Sequence, residues 1–257
     1  FFDRIQRSVS HHGGTCMEAY IGITVLGIII IFFSFAIISG KRHAKAMKAL
    51  SQAIGFSYTP SVDDDEVFLQ QFSRLPLFSR GSTRDVWNVM RGQVQDFEVT
   101  IMEFRYGSNS SSTKSTSSTS TQTVIIIKSN DLDLPSFSLT PHNTSDKIAT
   151  NFLSAVMPLV KKLMPQDINF DSYPLFSEFY LLQGTRKNEE AIRKLFNRDV
   201  IRYYEIHRGL CTEGAGNTIM CHVLGKELSP EDIPPLLDQT IEVCDMFQRA
   251  GDSTLTA

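Results

Sequence analysis

Three features of the sequence predict an α+β protein, with one N-terminal transmembrane helix followed by a mainly antiparallel-sheet domain with packed helices. The first is an uncharged run from Ala19 to Ser39 that ends in a burst of cations. The second is a middle region of short segments rich in β-branched and aromatic residues, joined by tight polar turns. The third is a C-terminal half in which capped helical stretches alternate with a hairpin.

The run "AYIGITVLGIIIIFFSFAIIS" is long enough, at about 1.5 Å per helical residue, to cross roughly 30 Å of hydrocarbon. A continuous helix also satisfies every backbone amide within the segment, as lipid demands. A cleaved signal peptide would carry an apolar core of about 7–15 residues and small residues at the cut. Here the run is longer and passes directly into Lys41, Arg42, Lys45 and Lys48. These flank cations place the C-terminal side in the cytoplasm, because basic residues beside a span are retained there. The span has no ionisable group to mark a transport pathway, so it reads as an anchor. Residues 1–18 read as a tail, spurious or disordered. The first residue is Phe, which makes Met17 an expected alternative start, and Cys16, His11 and His12 carry no expected role.

Charge divides the chain. Residues 1–49 hold six Lys/Arg against two Asp/Glu, whereas the remainder holds nineteen against twenty-six. An acidic body argues against nucleic acid, whose binding rests on neutralising phosphates. The basic flank suits anionic lipid headgroups. Cys211, Cys221 and Cys244 show no disulfide framework and are expected as thiols.

Residues 40–55 read as a basic juxtamembrane helix, with Met47, Leu50 and Ile54 on one stripe and Gly55 as a left-handed stop. The α+β domain proper is expected over 56–250. "FSY" begins it as a strand, and an acidic helix follows from about Ser61 to Phe72. "WNVMRGQV" and "FEVTIMEFRY" form a hairpin about "QD", and "TVIIIK" reads as a strand covered on both faces. "SFSLT" is the fourth of this group. Residues 107–122 form a disordered Ser/Thr loop, since they offer almost nothing to bury. A helical block begins near Ser145, carrying Ile148, Phe152, Val156 and Leu159. "SEFYLLQG" reads as a strand. "NEEAIRKLF" and "NRDVIRYYEIH" read as helices opened by Asn caps. "LCTEGAGNTIMCHVLG" is a hairpin turning at "GAGN", and a helix capped by Ser229 buries Leu237, Ile241, Cys244 and Phe247. Residues 251–257 read as a tail.

The stretches "LPLFSRGSTRDVWNVMRGQVQDFEVTIMEFRY", "TVIIIKSNDLDLPSFSLTP", "INFDSYPLFSEFYLLQG" and "LFNRDVIRYYEIHRGLCTEGAGNTIMCHVLGKELSPEDIPPLL" follow one another in a recognisable order. Over roughly residues 40–250 this order resembles a group of uncharacterised bacterial proteins with one N-terminal span and a domain of unknown function. The resemblance implies a bacterial inner-membrane protein with a cytoplasmic α+β domain. It carries over no catalytic residue.

Candidate chemistry is sparse. His207, Cys211, Cys221 and His222 are metal-competent, but adjacent strand residues such as Cys221 and His222 point to opposite faces and cannot share one ion. One of those two is therefore expected in the core and the other in solvent. Cys211 lacks the surroundings that activate a thiol, and no Gly-x-Ser-x-Gly element is present. "VDDDE", Val62 to Glu66, lacks calcium-loop spacing and suits a helix N-terminus. "GAGNTI" lacks a third glycine and runs into a strand, so it is a turn rather than a dinucleotide loop. Asn109 and Asn143 begin Asn-x-Ser patterns that a cytoplasmic location leaves unmodified.

These readings give no expected metal, no cofactor, no identified small-molecule ligand and no nucleic acid. The expected partners are the lipid bilayer and a protein at the membrane. The leading expectation is a membrane-anchored, non-catalytic protein- or lipid-binding module. The alternatives are a tethered hydrolase with a cleft lined by Phe170 to Tyr173 and Arg202 to His207, or an accessory subunit of a membrane complex.

Overall fold

A computed structural model describes residues 40–107, 119–142 and 166–255. The expected span 19–39, the tail 1–18, most of the Ser/Thr loop and the helical block from Ser145 lie outside the described residues. Among the described residues, no helix is long and apolar enough to cross a membrane. Two units divide between Met47 and Lys48, within the first described helix.

Helix α1, residues 40–53, ends as Gly55 predicts. Gly55 has φ 76°, and the Phe56 amide donates to the Ser51 carbonyl at 2.7 Å while the Gly55 amide donates to that of Gln52. This pair of reverse bonds satisfies carbonyls the helix leaves open.

The second unit is built on one antiparallel nine-stranded sheet. Its strands are β1 (Ser57–Ser61), β2 (Thr83–Val94), β3 (Phe97–Gly107), β4 (Thr119–Lys128), β5 (Leu134–Pro141), β6 (Gln166–Asp167), β7 (Tyr180–Gly184), β8 (Leu210–Gly216) and β9 (Thr218–Val223). They lie in the order β1-β2-β3-β4-β9-β8-β5-β7-β6. Hairpin β2–β3 turns at Gln95-Asp96, with Gln95 at φ 54°, and β8–β9 turns at Gly216-Asn217. Residues 119–122 extend β4, so the described base of the Ser/Thr segment is strand. The β8–β9 hairpin inserts between β4 and β5. The short link 129–133 reaches β5 by crossing that hairpin's turn, where the Ser129 amide donates to the Asn217 carbonyl at 3.0 Å.

Both faces of the central strands are covered. On one face lie helix α2 (Asp65–Gln70) and a 3₁₀ turn (Pro76–Ser79), which bring Leu69, Phe72, Leu77 and Phe78 against Met102, Phe104, Val124, Ile126 and Met220. On the other lie α4 (Glu189–Leu195), α5 (Arg198–Ile206) and α6 (Ile233–Leu255), preceded in the chain by the short α3 (Pro174–Phe179). There Phe196 and Phe247 pack on Phe137, with ring centroids 5.1 and 5.4 Å away. Every residue of β8 is buried.

Several elements differ from expectation for local reasons. "SEFYLLQG" is split: Pro174 sits in the first turn of α3, and only Tyr180 onward is strand. The acidic helix is shorter than Ser61–Phe72 because Asp64 caps it, accepting from the Val67 amide at 3.0 Å. Asn197 caps α5 as expected, but Asn188 does not cap α4, since its backbone is already helical (φ −98°, ψ −4°) and a cap needs extended geometry. Ser229 forms no cap either; its hydroxyl donates to Asp232, within a 3₁₀ turn ahead of α6. In α6, Ile241 is only half-buried while Thr240 and Val243 are fully enclosed, and the helix continues to Leu255 rather than fraying into a tail at 251.

Candidate functional site

The flank cations lie on α1. Lys41, Arg42, Lys45 and Lys48 are all exposed on α1, while Met47 and Ser51 are buried. At 3.6 residues per turn the three lysines fall within roughly 60° of one another, on the side away from the buried stripe. Arg42 flanks them. The helix therefore has one enclosed face and one cationic face.

The metal-competent quartet is dispersed. Cys211 and His222 are cross-strand partners, so they share the α2 face of the sheet. Cys221 points to the opposite face, where the Thr212 hydroxyl lies 3.5 Å from its sulfur and itself receives the Tyr204 hydroxyl proton at 2.8 Å. His207 is at the exposed end of α5, stacked on Tyr203 at 4.3 Å. The expectation that either Cys221 or His222 is solvated fails, because both sheet faces are covered: they are 0% and 3% exposed. Burial pushes the thiols of Cys211, Cys221 and Cys244 up to about 12, so none supplies a thiolate near neutral pH.

The acidic run has structural work throughout α2. Asp64 is its cap, Asp65 accepts from the Val86 amide at 3.1 Å, and Glu66 grips Arg84 through two bonds of 2.8 and 2.9 Å. "GAGN" is the β8–β9 turn, with Gly216 at φ 59°. The aromatic rings of the two segments proposed for a hydrolase cleft are spent on packing instead. Phe170, Phe176, Phe196 and Tyr204 follow one another at centroid spacings of 5.8, 6.1 and 6.4 Å.

A buried polar group under the α2 face is absent from the sequence reading. Glu213, 2% exposed, accepts from the Leu77 amide at 2.8 Å and faces Arg80 at 3.8 Å. Burial lifts its carboxyl to about 7, against the pull of Arg80 and the amide. Burial, helped by Arg80, lowers His222 to about 3, so the ring is neutral. His222 Nδ1 and Gln122 Nε2 make no hydrogen bond among the described residues. Cys211 completes the group. These side chains lie beneath the 69–80 segment, so the cluster ties that segment to the sheet and does not present a reacting group to a substrate. The signal in the sequence was Glu213 inside "LCTEGAG", a carboxylate in an otherwise small and apolar strand.

One solved structure shares this architecture. The chain is similar in fold to the crystal structure of the mycobacterial trehalose monomycolate transport factor A (TtfA). The TM-score is 0.51, over 81% of this chain and 93% of that one, at 12% sequence identity. Identity this low shows the fold alone. No protein-family model matches the sequence, and no curated protein matches it.

Proposed function

We propose that this chain is a non-catalytic, membrane-tethered module of a bacterial inner membrane that works on lipid at the cytoplasmic surface. Residues 19–39 are its span, and Lys41, Arg42, Lys45 and Lys48 meet anionic headgroups. The sheet unit is the binding body. The observation that carries this reading is the exposed cationic face of α1, opposite its enclosed stripe and directly after the apolar run. Each such cation beside an anionic leaflet contributes about 1 kcal/mol. The resemblance to single-span bacterial proteins agrees with the anchor. A fold like that of a trehalose monomycolate transport factor agrees with lipid as the partner class. The closed, protonated thiols and the packed aromatic chain agree with binding rather than catalysis.

The test is membrane topology in bacterial cells expressing the full chain. Carbonate washing of vesicles should leave the protein in the pellet, and protease added outside spheroplasts should leave the sheet unit intact. Replacing all four flank cations with Gln should expose a measurable fraction to that protease, since the orientation signal is gone. Extraction by carbonate, or digestion of the unaltered chain from outside, would overturn the reading.

A further inference from the structure

A cleft of about 290 Å³ opens on the α2 face of the sheet, between Gln71 just beyond α2 and the ends of β2, β3 and β4. Strand register explains its lining. Arg91 pairs with Thr100, Thr100 with Ile126, and Glu98 with Lys128, so all five side chains emerge on the same face in two neighbouring rows. Segment 68–72 contributes the facing wall. The Arg91 guanidinium lies 4.8 Å from the Phe68 ring centroid and the Lys128 ammonium 5.1 Å from that of Phe72.

These aromatic contacts hold the cations without using their hydrogen-bond donors. Among the described residues, the side chains of Arg91, Lys128 and Glu98 make no ion pair or hydrogen bond. Lys128 is half-buried, as is Thr100. Two positioned cations with free donors, a lone carboxylate and the polar groups of Gln71 and Thr100 therefore converge on a space near the lower end of small-ligand pockets. A simple anion would use the cations and be repelled by Glu98. A molecule carrying an anionic group and a hydroxyl-bearing end would use both.

We propose that this cleft binds a phosphate ester whose other end carries hydroxyl groups, with Arg91 and Lys128 on the phosphate and Glu98 accepting from a hydroxyl. The ester is either a soluble polyol phosphate or the headgroup of a phospholipid. The residues of this site all belong to the second unit, and the assignment does not depend on the anchor.

Calorimetric titration of the full chain in neutral detergent tests the assignment, with sn-glycerol 3-phosphate, inorganic phosphate and glycerol as probes. Glycerol 3-phosphate should bind saturably with Kd of about 1–10 mM, as expected for a small polar ligand. Inorganic phosphate should bind more weakly, and glycerol not at all. Arg91→Gln and Lys128→Gln should each weaken glycerol 3-phosphate by about tenfold or more, the equivalent of losing one charged hydrogen bond. Glu98→Gln should tighten inorganic phosphate and erase the preference for the ester, a reversal that mere loss of fold does not produce.

If phosphatidylglycerol micelles compete with the soluble ester in wild-type protein but not in Arg91→Gln, the occupant is a lipid headgroup. If they fail to compete while the ester binds, it is a soluble phosphate. No saturable binding up to about 50 mM ester, or affinity unchanged in folded Arg91→Gln and Lys128→Gln, would overturn the proposal; either result leaves the topology test of the anchor untouched.

Discussion

Glu213 and His222 are buried on the same sheet face with pKa values displaced toward opposite charge logic, and their effects on stability oppose each other. Glu213 is raised by burial from 4.5 to about 7, so the folded state holds a proton the unfolded chain releases. Its contribution is fully present below pH 4.5 and is lost as pH rises to about 7, with a total on the order of 3 kcal/mol. His222 is lowered by burial from 6.5 to about 3, so its contribution is present above pH 6.5 and is lost as pH falls toward 3. Between pH 4.5 and 6.5 the two slopes cancel. Urea unfolding of the wild type should therefore give nearly constant stability across that window. Glu213→Gln should leave stability rising from pH 3 to 6.5, and His222→Gln should leave it falling from pH 4.5 to 7. Flat profiles in both variants would mean that neither group titrates as its burial requires. The sequence supplied the identity of both residues but not this pairing, because their shared enclosure comes from segment 69–80, far away in the chain.

At the scale of elements, capping chemistry separates the legible from the hidden. Asp64 and Asn197 cap from extended backbone; Asn188 has the right side chain on an already helical backbone, and Ser229 is extended but spends its hydroxyl on the Asp232 carboxylate. The split of "SEFYLLQG" was readable from Pro174, whose fixed φ suits a first helical turn, yet the apolar run Phe179 to Leu182 outweighed it in a strand reading. The acidic run offers a direct test of its structural role. Asp64→Ala should cost about 1 kcal/mol in thermal unfolding, the usual value of a lost cap, and should leave binding of Mg²⁺ or Ca²⁺ unchanged. A divalent-ion affinity that disappears with Asp64 would reassign the run as a metal site.

For the second unit as a whole, the continuous sheet predicts shared cooperativity. The single tryptophan, Trp87, is half-buried on β2 beneath the Arg105 guanidinium, whereas most described helix lies on the far half of the sheet. Inserting β8–β9 between β4 and β5 stitches the halves together at the centre. Trp87 fluorescence and far-UV ellipticity should then lose native signal at one urea midpoint with superimposable curves. Separate midpoints would show that the two halves melt as independent bodies.

The amino-acid sequence by itself determined the α+β class, the hairpins at Gln95-Asp96 and Gly216-Asn217, the Gly55 stop and the amphipathic cation pattern of α1. Each is a local matter, decided by side-chain period, turn residues or helix-end chemistry within a few positions. Only the tertiary structure decided that β8 and β9 lie mid-sheet, that Cys221 and His222 are both enclosed, and that Arg91, Glu98 and Lys128 share an open cleft. Those facts depend on which distant segments cover each face, and a strand's alternation fixes its two faces without saying what will be packed against either.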